Sequence, residues 1–164
     1  MVYTPSWHQL AESYIGTTEI PGPKHNPVIV NWLVKLGAGW RDDETPWCGA
    51  FVAHCLQAKG VKIPASWAWA KSWAKWGVPR PVANLGPGTV LVFDRPGGGG
   101  HVGFYVGEGP DYYVVLGGNQ SNQVKCSAIA KSRLIAARWP INVAFTGRPV
   151  FLAPNGLPLS QNEA

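Results

Sequence analysis

Apolar residues recur at helical spacing in the first half of this chain and in short dense runs in the second, and the change of period falls near Val78. Trp7, Leu10, Tyr14 and Ile15 follow Thr4-Pro5 and run to Gly16, which predicts a first helix. Asn26-Pro27 opens a second, with Val28, Ile29, Trp32, Leu33 and Leu36 on one face and Gly37 as its stop. A third starts at Thr45-Pro46, buries Phe51, Val52, Cys55 and Leu56, and ends at Gly60. Ser66 opens a fourth, in which Trp69, Trp73 and Trp76 form a stripe at i, i+4 and i+7, expected to pack on the core.

Beyond Val78 the runs 89–94, 101–106, 112–117, 123–129 and 134–139 are rich in Val, Ile, Tyr and Phe and are separated by Gly, Pro, Asn and Asp clusters. Spacing this close predicts antiparallel neighbours in a meander, because a parallel crossover needs a dozen or more residues. Helices first and strands second make the expected fold class α+β, N-terminal helices packed on a C-terminal antiparallel sheet. The four glycines at 97–100 have neither the lysine of a phosphate loop nor the spacing of a dinucleotide fingerprint, so they read as a flexible hairpin connection. One domain is expected over residues 1–153, with 154–164 as a poorly ordered tail.

Composition narrows this picture without redirecting it. With 164 residues, 46% of them hydrophobic and 14% charged, the chain can build a core without disulfides or a structural metal. The three cysteines, Cys48, Cys55 and Cys126, have no paired spacing, and no cofactor is expected. A net charge of +5 suits an anionic setting, but the basic residues are scattered, so nucleic acid is not an expected partner. No basic stretch followed by an apolar core opens the chain, and no apolar run approaches the roughly 20 residues of a membrane span. Synthesis in the cytoplasm without a signal peptide is therefore expected. Nine tryptophans are many for this length, and an indole serves a core or a sugar-and-peptide groove equally well.

Candidate chemistry centres on Cys48. Thr45 as cap and Pro46 at the first helical position would put Cys48 at the third, facing unpaired N–H groups and the positive end of the helix dipole, which lower a thiol pKa. Asp42, Asp43 and Glu44 upstream would act in the opposite direction. Of the four histidines, His54 lies on the same helix but off the Cys48 face, and His8 and His25 lie near helix starts. His101 opens a strand beside the glycine loop, where its ring can face a cleft. If the strands at 101–106 and 112–117 pair around a turn at 107–111, residue 101 faces 117 and Asn119 lies one diagonal step away, close enough to orient the imidazole. A zinc site from Cys48, His54, Cys55 and His101 is disfavoured, since two turns of helix hold the two sulfurs ~10 Å apart.

The order Trp47-Cys48-Gly49-Ala50-Phe51-Val52, then Gly100-His101-Val102-Gly103-Phe104-Tyr105-Val106, then Gly117-Gly118-Asn119-Gln120 resembles the cysteine/histidine-dependent amidohydrolase/peptidase (CHAP) family, close kin of NlpC/P60. The resemblance covers roughly residues 15–140 and implies a papain-like fold and a peptidoglycan hydrolase, many of whose relatives are phage endolysins. It implies Cys48 as nucleophile, His101 as base and Asn119 as orienting residue. Beside it, Trp47, Trp67, Glu19 and Gln120 stand as candidate substrate contacts. Glu19 reads as either an active-site acid or a solvated loop carboxylate. Many relatives carry Gln immediately before the cysteine, where this chain has Trp47, so a glutamine side chain there does not complete an oxyanion hole; the Cys48 backbone N–H remains as one donor, and the sequence does not name the second. The expected partner is the cell wall, reached after release of a monomeric protein, with membrane contact by the tryptophan stripe as a further option. Two other functions fit the same residues: a secreted antibacterial effector of like chemistry, and a non-catalytic wall-binding module in which Cys48 is structural.

Overall fold

The computed structural model describes residues 4–152, so the tail expected at 154–164 lies outside the described residues. Three α-helices come first: α1 (Ser6–Ser13), α2 (Pro27–Leu36) and α3 (Cys48–Gln57). Strands β1 (Val78–Pro79), β2 (Val90–Asp94), β3 (Gly100–Glu108), β4 (Tyr112–Gln120), β5 (Gln123–Ala130) and β6 (Leu134–Trp139) form one antiparallel sheet in the order β1-β6-β2-β3-β4-β5. The α+β class expected from the change of period is therefore observed. β2 to β5 are the meander; β6 returns to the far side of β2, where the two-residue β1, absent from the sequence reading, joins it.

Local chemistry explains most boundaries. The Asn26 side chain accepts from Val28 N at 2.9 Å, Pro27 follows it, and Gly37 closes α2 in the left-handed region at φ 74°. α3 departs from expectation at its start. Thr45 does not cap it, because Asp42 Oδ1 draws in the Thr45 N–H, the Thr45 hydroxyl and the Glu44 N–H and ties residues 42–45 into a turn. The helix begins two residues beyond Pro46, with Trp47 in the cap position and Cys48 first rather than third. The expected fourth α-helix is a 3-10 helix, Ala70–Lys75, preceded by turns. Trp69 lies outside it, 65% exposed, while Trp73 is fully buried, so the three tryptophans do not form one core-facing stripe.

Both faces of the sheet are covered, which is why Val90-Leu91-Val92-Phe93 reads as a continuous apolar run. Val90, Val92, Val102, Phe104 and Leu116 pack with α1, α2 and α3, where Trp32, Phe51 and Leu56 are fully buried. Leu91, Phe93, Tyr105, Tyr113 and Val115 pack on the other side with Leu85 and Ile129. Gly118 lets β4 pass close beneath the helices. A Cβ on Gly118 would lie 2.7 Å from both the Trp47 ring and Phe51, a separation that real Cβ atoms do not show.

Candidate active site

Cys48 sits at the first position of α3, only 5% exposed, with its thiol against β3. Burial pushes this thiol above the ordinary cysteine value; the Val102 and Gly49 N–H groups and the Arg95 charge act downward without prevailing. The lowered pKa expected from the helix terminus is thus not observed, because desolvation outweighs the N–H groups. Val102 is the neighbour of His101, so the sulfur meets β3 one residue from the imidazole.

His101 is fully buried, and its Nε2 lies 2.8 Å from Gln120 Oε1. The Gln120 amide is itself fixed, because its nitrogen donates to Val115 O at 3.1 Å and Lys125 O at 2.6 Å. Its oxygen is therefore the acceptor, His101 donates from Nε2, and Nδ1 carries the lone pair of the neutral ring. Gly117 makes room for this contact: a Cβ there would come within 2.4 Å of Gln120 Oε1 and 3.2 Å of His101 Nε2.

The orienting contact expected of Asn119 falls to Gln120 for a definite reason. Phe104 faces Leu116 and Tyr105 faces Val115, so β4 is displaced two residues from the expected register, which leaves the faces unchanged. A bulge between Gly117 and Gln120, opposite Lys125 and Gln123, then inserts one extra residue and turns the alternation over. Gln120 takes the face that Asn119 would have had. Asn119 stands inside that bulge in the left-handed region, φ 59°, nearly buried, and its side chain makes no hydrogen bond among the described residues.

The remaining candidates separate into two groups. Trp47 and Gln120 are buried and neither reaches solvent, so the substrate contacts expected of them are not observed. Trp47 is the wall behind the nucleophile, packed against Trp32, and Gln120 is the histidine's anchor. Glu19 and Trp67 are half-buried at the surface. The Glu19 carboxyl is pushed above its usual range by burial and by the charges of Asp43 and Glu44. The Trp47 indole N–H, buried and without an acceptor at hydrogen-bond distance, still favours the Glu19 charge.

Asp43, taken from the sequence only as part of an acidic cluster, organises the link between α1 and α2. Fully buried, it accepts from Ile20 N at 2.7 Å, Asn26 N at 2.8 Å and His25 Nδ1 at 3.0 Å. Burial opposes its charge, yet these donors hold its carboxyl below the usual range. A lone Asp beside Asp42 and Glu44 gave no signal of this, because the donors lie 17 to 23 residues earlier. Arg95 was also missed. It belongs to the loop between β2 and β3, closed by Arg95 N–H to Gly99 O at 3.2 Å and Gly98 N–H to Arg95 O at 3.0 Å.

His54 accepts or donates at 2.9 Å with the Tyr14 hydroxyl and stacks on Trp32, away from this cluster. Burial, then the charge of Lys35, lowers its pKa to about 4. Among the described residues no group of three or more His, Cys, Asp or Glu could hold a metal ion, and no helix is long and apolar enough to cross a membrane. A cavity of about 730 Å³ lies elsewhere, between residues 59–65, Trp76 and residues 141–143, and contains none of these site residues. No protein-family model matches this chain, and no curated protein matches it.

Proposed function

We propose that this chain is a peptidoglycan hydrolase that cleaves an amide or peptide bond of the bacterial cell wall through a cysteine nucleophile, in a papain-like arrangement and in the manner of a phage or prophage endolysin. One observation carries the reading: a histidine whose Nε2–H is held by a fixed amide stands one residue from the N–H that meets the thiol at the start of α3. That is the division of roles required of nucleophile, base and orienter, recognised by geometry rather than by sequence position. In the reaction, His101 Nδ1 takes the Cys48 proton and the thiolate attacks the amide carbonyl. The Cys48 backbone N–H, at the helix start, donates to the oxyanion. The imidazolium then protonates the leaving amine, and water releases the acyl group. Gln120 keeps the ring in the productive tautomer throughout.

The burial of the Cys48 thiol, and its raised pKa, favour a second reading, a wall-binding module with a structural cysteine. One experiment separates the two. Turbidity loss of permeabilised bacteria is followed for the wild type, with and without a thiol blocker, and for Cys48→Ala and Gln120→Leu. Hydrolysis predicts loss of clearing with the blocker and with Cys48→Ala at unchanged circular dichroism. It also predicts a fall in clearing rate of about a hundredfold for Gln120→Leu, because His101 remains but loses the partner that orients it and fixes its tautomer. Clearing by Cys48→Ala at the wild-type rate overturns the enzymatic reading.

A further inference from the structure

The nine tryptophans sort themselves by what their indole N–H groups do. Trp7, Trp73, Trp76 and Trp139 donate inside the fold, to Gly88 O, Trp67 O, Lys62 O and Val143 O at 2.8–3.0 Å. Trp32 and Trp47 are buried without an acceptor. The other three, Trp40, Trp67 and Trp69, are accessible, make no N–H hydrogen bond among the described residues, and line one cleft of about 370 Å³. The rest of its lining is Gly37, Ala38, Gly39, Ala65, Ser66 and Ala68, and no charged residue lines it. The Trp40 and Trp67 rings lie 5.7 Å apart at 31°, and Trp69 stands 65% exposed at the edge.

This cleft is joined to the start of α3. A Cβ on Gly49, the residue after the nucleophile, would fall 2.2 Å from Trp67 O and 3.1 Å from Ala68 O. The same Trp67 carbonyl accepts from Trp73 Nε1 at 3.0 Å, so the tryptophan-bearing turn is held from both sides against the first turn of the helix. Flat apolar faces with unused N–H donors and no charge suit a neutral pyranose, whose C–H face stacks on an indole while its hydroxyl and N-acetyl oxygens accept hydrogen bonds.

We infer that the Trp40–Trp67–Trp69 cleft is a glycan subsite that seats an N-acetylated sugar of the wall polymer beside Cys48. This inference rests on the hydrolase reading for its choice of polymer and names the substrate part held next to the bond cleaved. An anionic membrane is the poorer occupant. Arg41, next to Trp40, turns its guanidinium onto the Ala38 and Trp40 carbonyls, Lys71 is committed to Asp94 at 3.0 Å, and Lys75 lines the separate 730 Å³ cavity.

The test uses the full chain carrying Cys48→Ala, titrated with tetra-N-acetylglucosamine by calorimetry and by NMR of the indole N–H resonances. Saturable binding is expected to shift the Trp40, Trp67 and Trp69 resonances and leave those of Trp7 and Trp139 in place. Trp69→Ala and Trp40→Ala each weaken binding about fivefold or more, the scale of one lost aromatic stack. Val82→Ser, at an exposed site elsewhere, leaves binding unchanged. No saturable signal at several millimolar sugar overturns the inference, as does equal binding by wild type and both tryptophan variants. Binding to anionic phospholipid vesicles that Trp69→Ala abolishes, without any sugar effect, overturns it in favour of a membrane contact. Because the protein titrated cannot hydrolyse, its outcome is independent of whether the wild type clears walls.

Discussion

Residues 48–57 and 66–76 carry similar apolar content and both pass the candidate site, yet they are held in opposite ways. In α3 every residue from Cys48 to Leu56 is buried, between α1 and α2 on one side and β3 and β4 on the other. In the stretch 66–76 only Ala70 and Trp73 are buried, and the chain is fastened by single bonds: Ser72 Oγ to Ser66 O and Trp69 O, Trp73 Nε1 to Trp67 O, and Trp76 Nε1 to Lys62 O. A nucleophile needs a fixed backbone, which packing supplies on all sides. An exposed aromatic face needs a scaffold that can be pinned from within while its rings stay out. The same residue type thus does different work depending on whether its N–H is used inside the fold.

The largest effect that can break this contrast is at the centre of α3. Phe51 is fully buried, in ring contact with Trp32 and Phe104, and Phe51→Ala should cost about 3–5 kcal/mol of stability. Trp69→Ala, a larger deletion in the exposed segment, should stay within about 0.5 kcal/mol. Chemical denaturation of the two variants with equal m-values measures both. Comparable losses would mean that the two segments are gripped alike.

How much of each region was legible follows from the same physics. α2 and the five strands were readable because a period, a cap and a stop agreed: Asn26, Pro27 and Gly37 for the helix, Gly and Pro clusters for the strands. The positions of Cys48 on a helix start and His101 on a strand start were readable too. The partner of His101 was not, because a one-residue bulge in β4 exchanged Asn119 for Gln120, and a bulge leaves no mark in an apolar pattern. The start of α3 was misread because Asp42 Oδ1 accepts from both the Thr45 N–H and the Thr45 hydroxyl and ties residues 42–45 into a turn, which takes Thr45 away from the helix N–H groups it would have capped. The segment 66–76 was misread because spacing of tryptophans describes either an α-helix or a 3-10 helix with an irregular lead-in. The bonds that decide between them run to main-chain carbonyls that no pattern marks. Exposure of Trp69 could be read only once those bonds were known.

A smaller effect separates the regions by pH. Burial lowers His8 in α1 and His54 in α3 to about 4 from 6.5, whereas residues 66–76 carry only lysines as ionisable groups. The folded state therefore binds these protons less readily than the unfolded chain. The contribution of these two histidines is full above about pH 6.5, falls as the unfolded chain protonates, and is gone near pH 4, with a loss of order 3 kcal/mol per histidine. Urea midpoints between pH 7 and pH 4 should fall, and should fall less for His54→Gln. A flat profile for the wild type would mean that the helical layer does not bury neutral imidazoles.

The smallest effect tests the fastening of the exposed segment itself. Ser72 Oγ lies 2.6 Å from Ser66 O and 2.7 Å from Trp69 O, and a single hydroxyl hydrogen can serve only one of them at a time. Ser72→Ala removes that donor at a position where alanine continues the 3-10 helix without strain, so it should cost about 1 kcal/mol. Because the bond ends at Trp69, its loss should act on the cleft more than on the core. Hydrogen exchange of the amides at 69–72 should quicken, while those of α3, which depend on packing instead, keep their protection. If α3 amides quicken equally, the two regions open as one unit, and the division between a packed platform and a pinned aromatic face is not a division in energy.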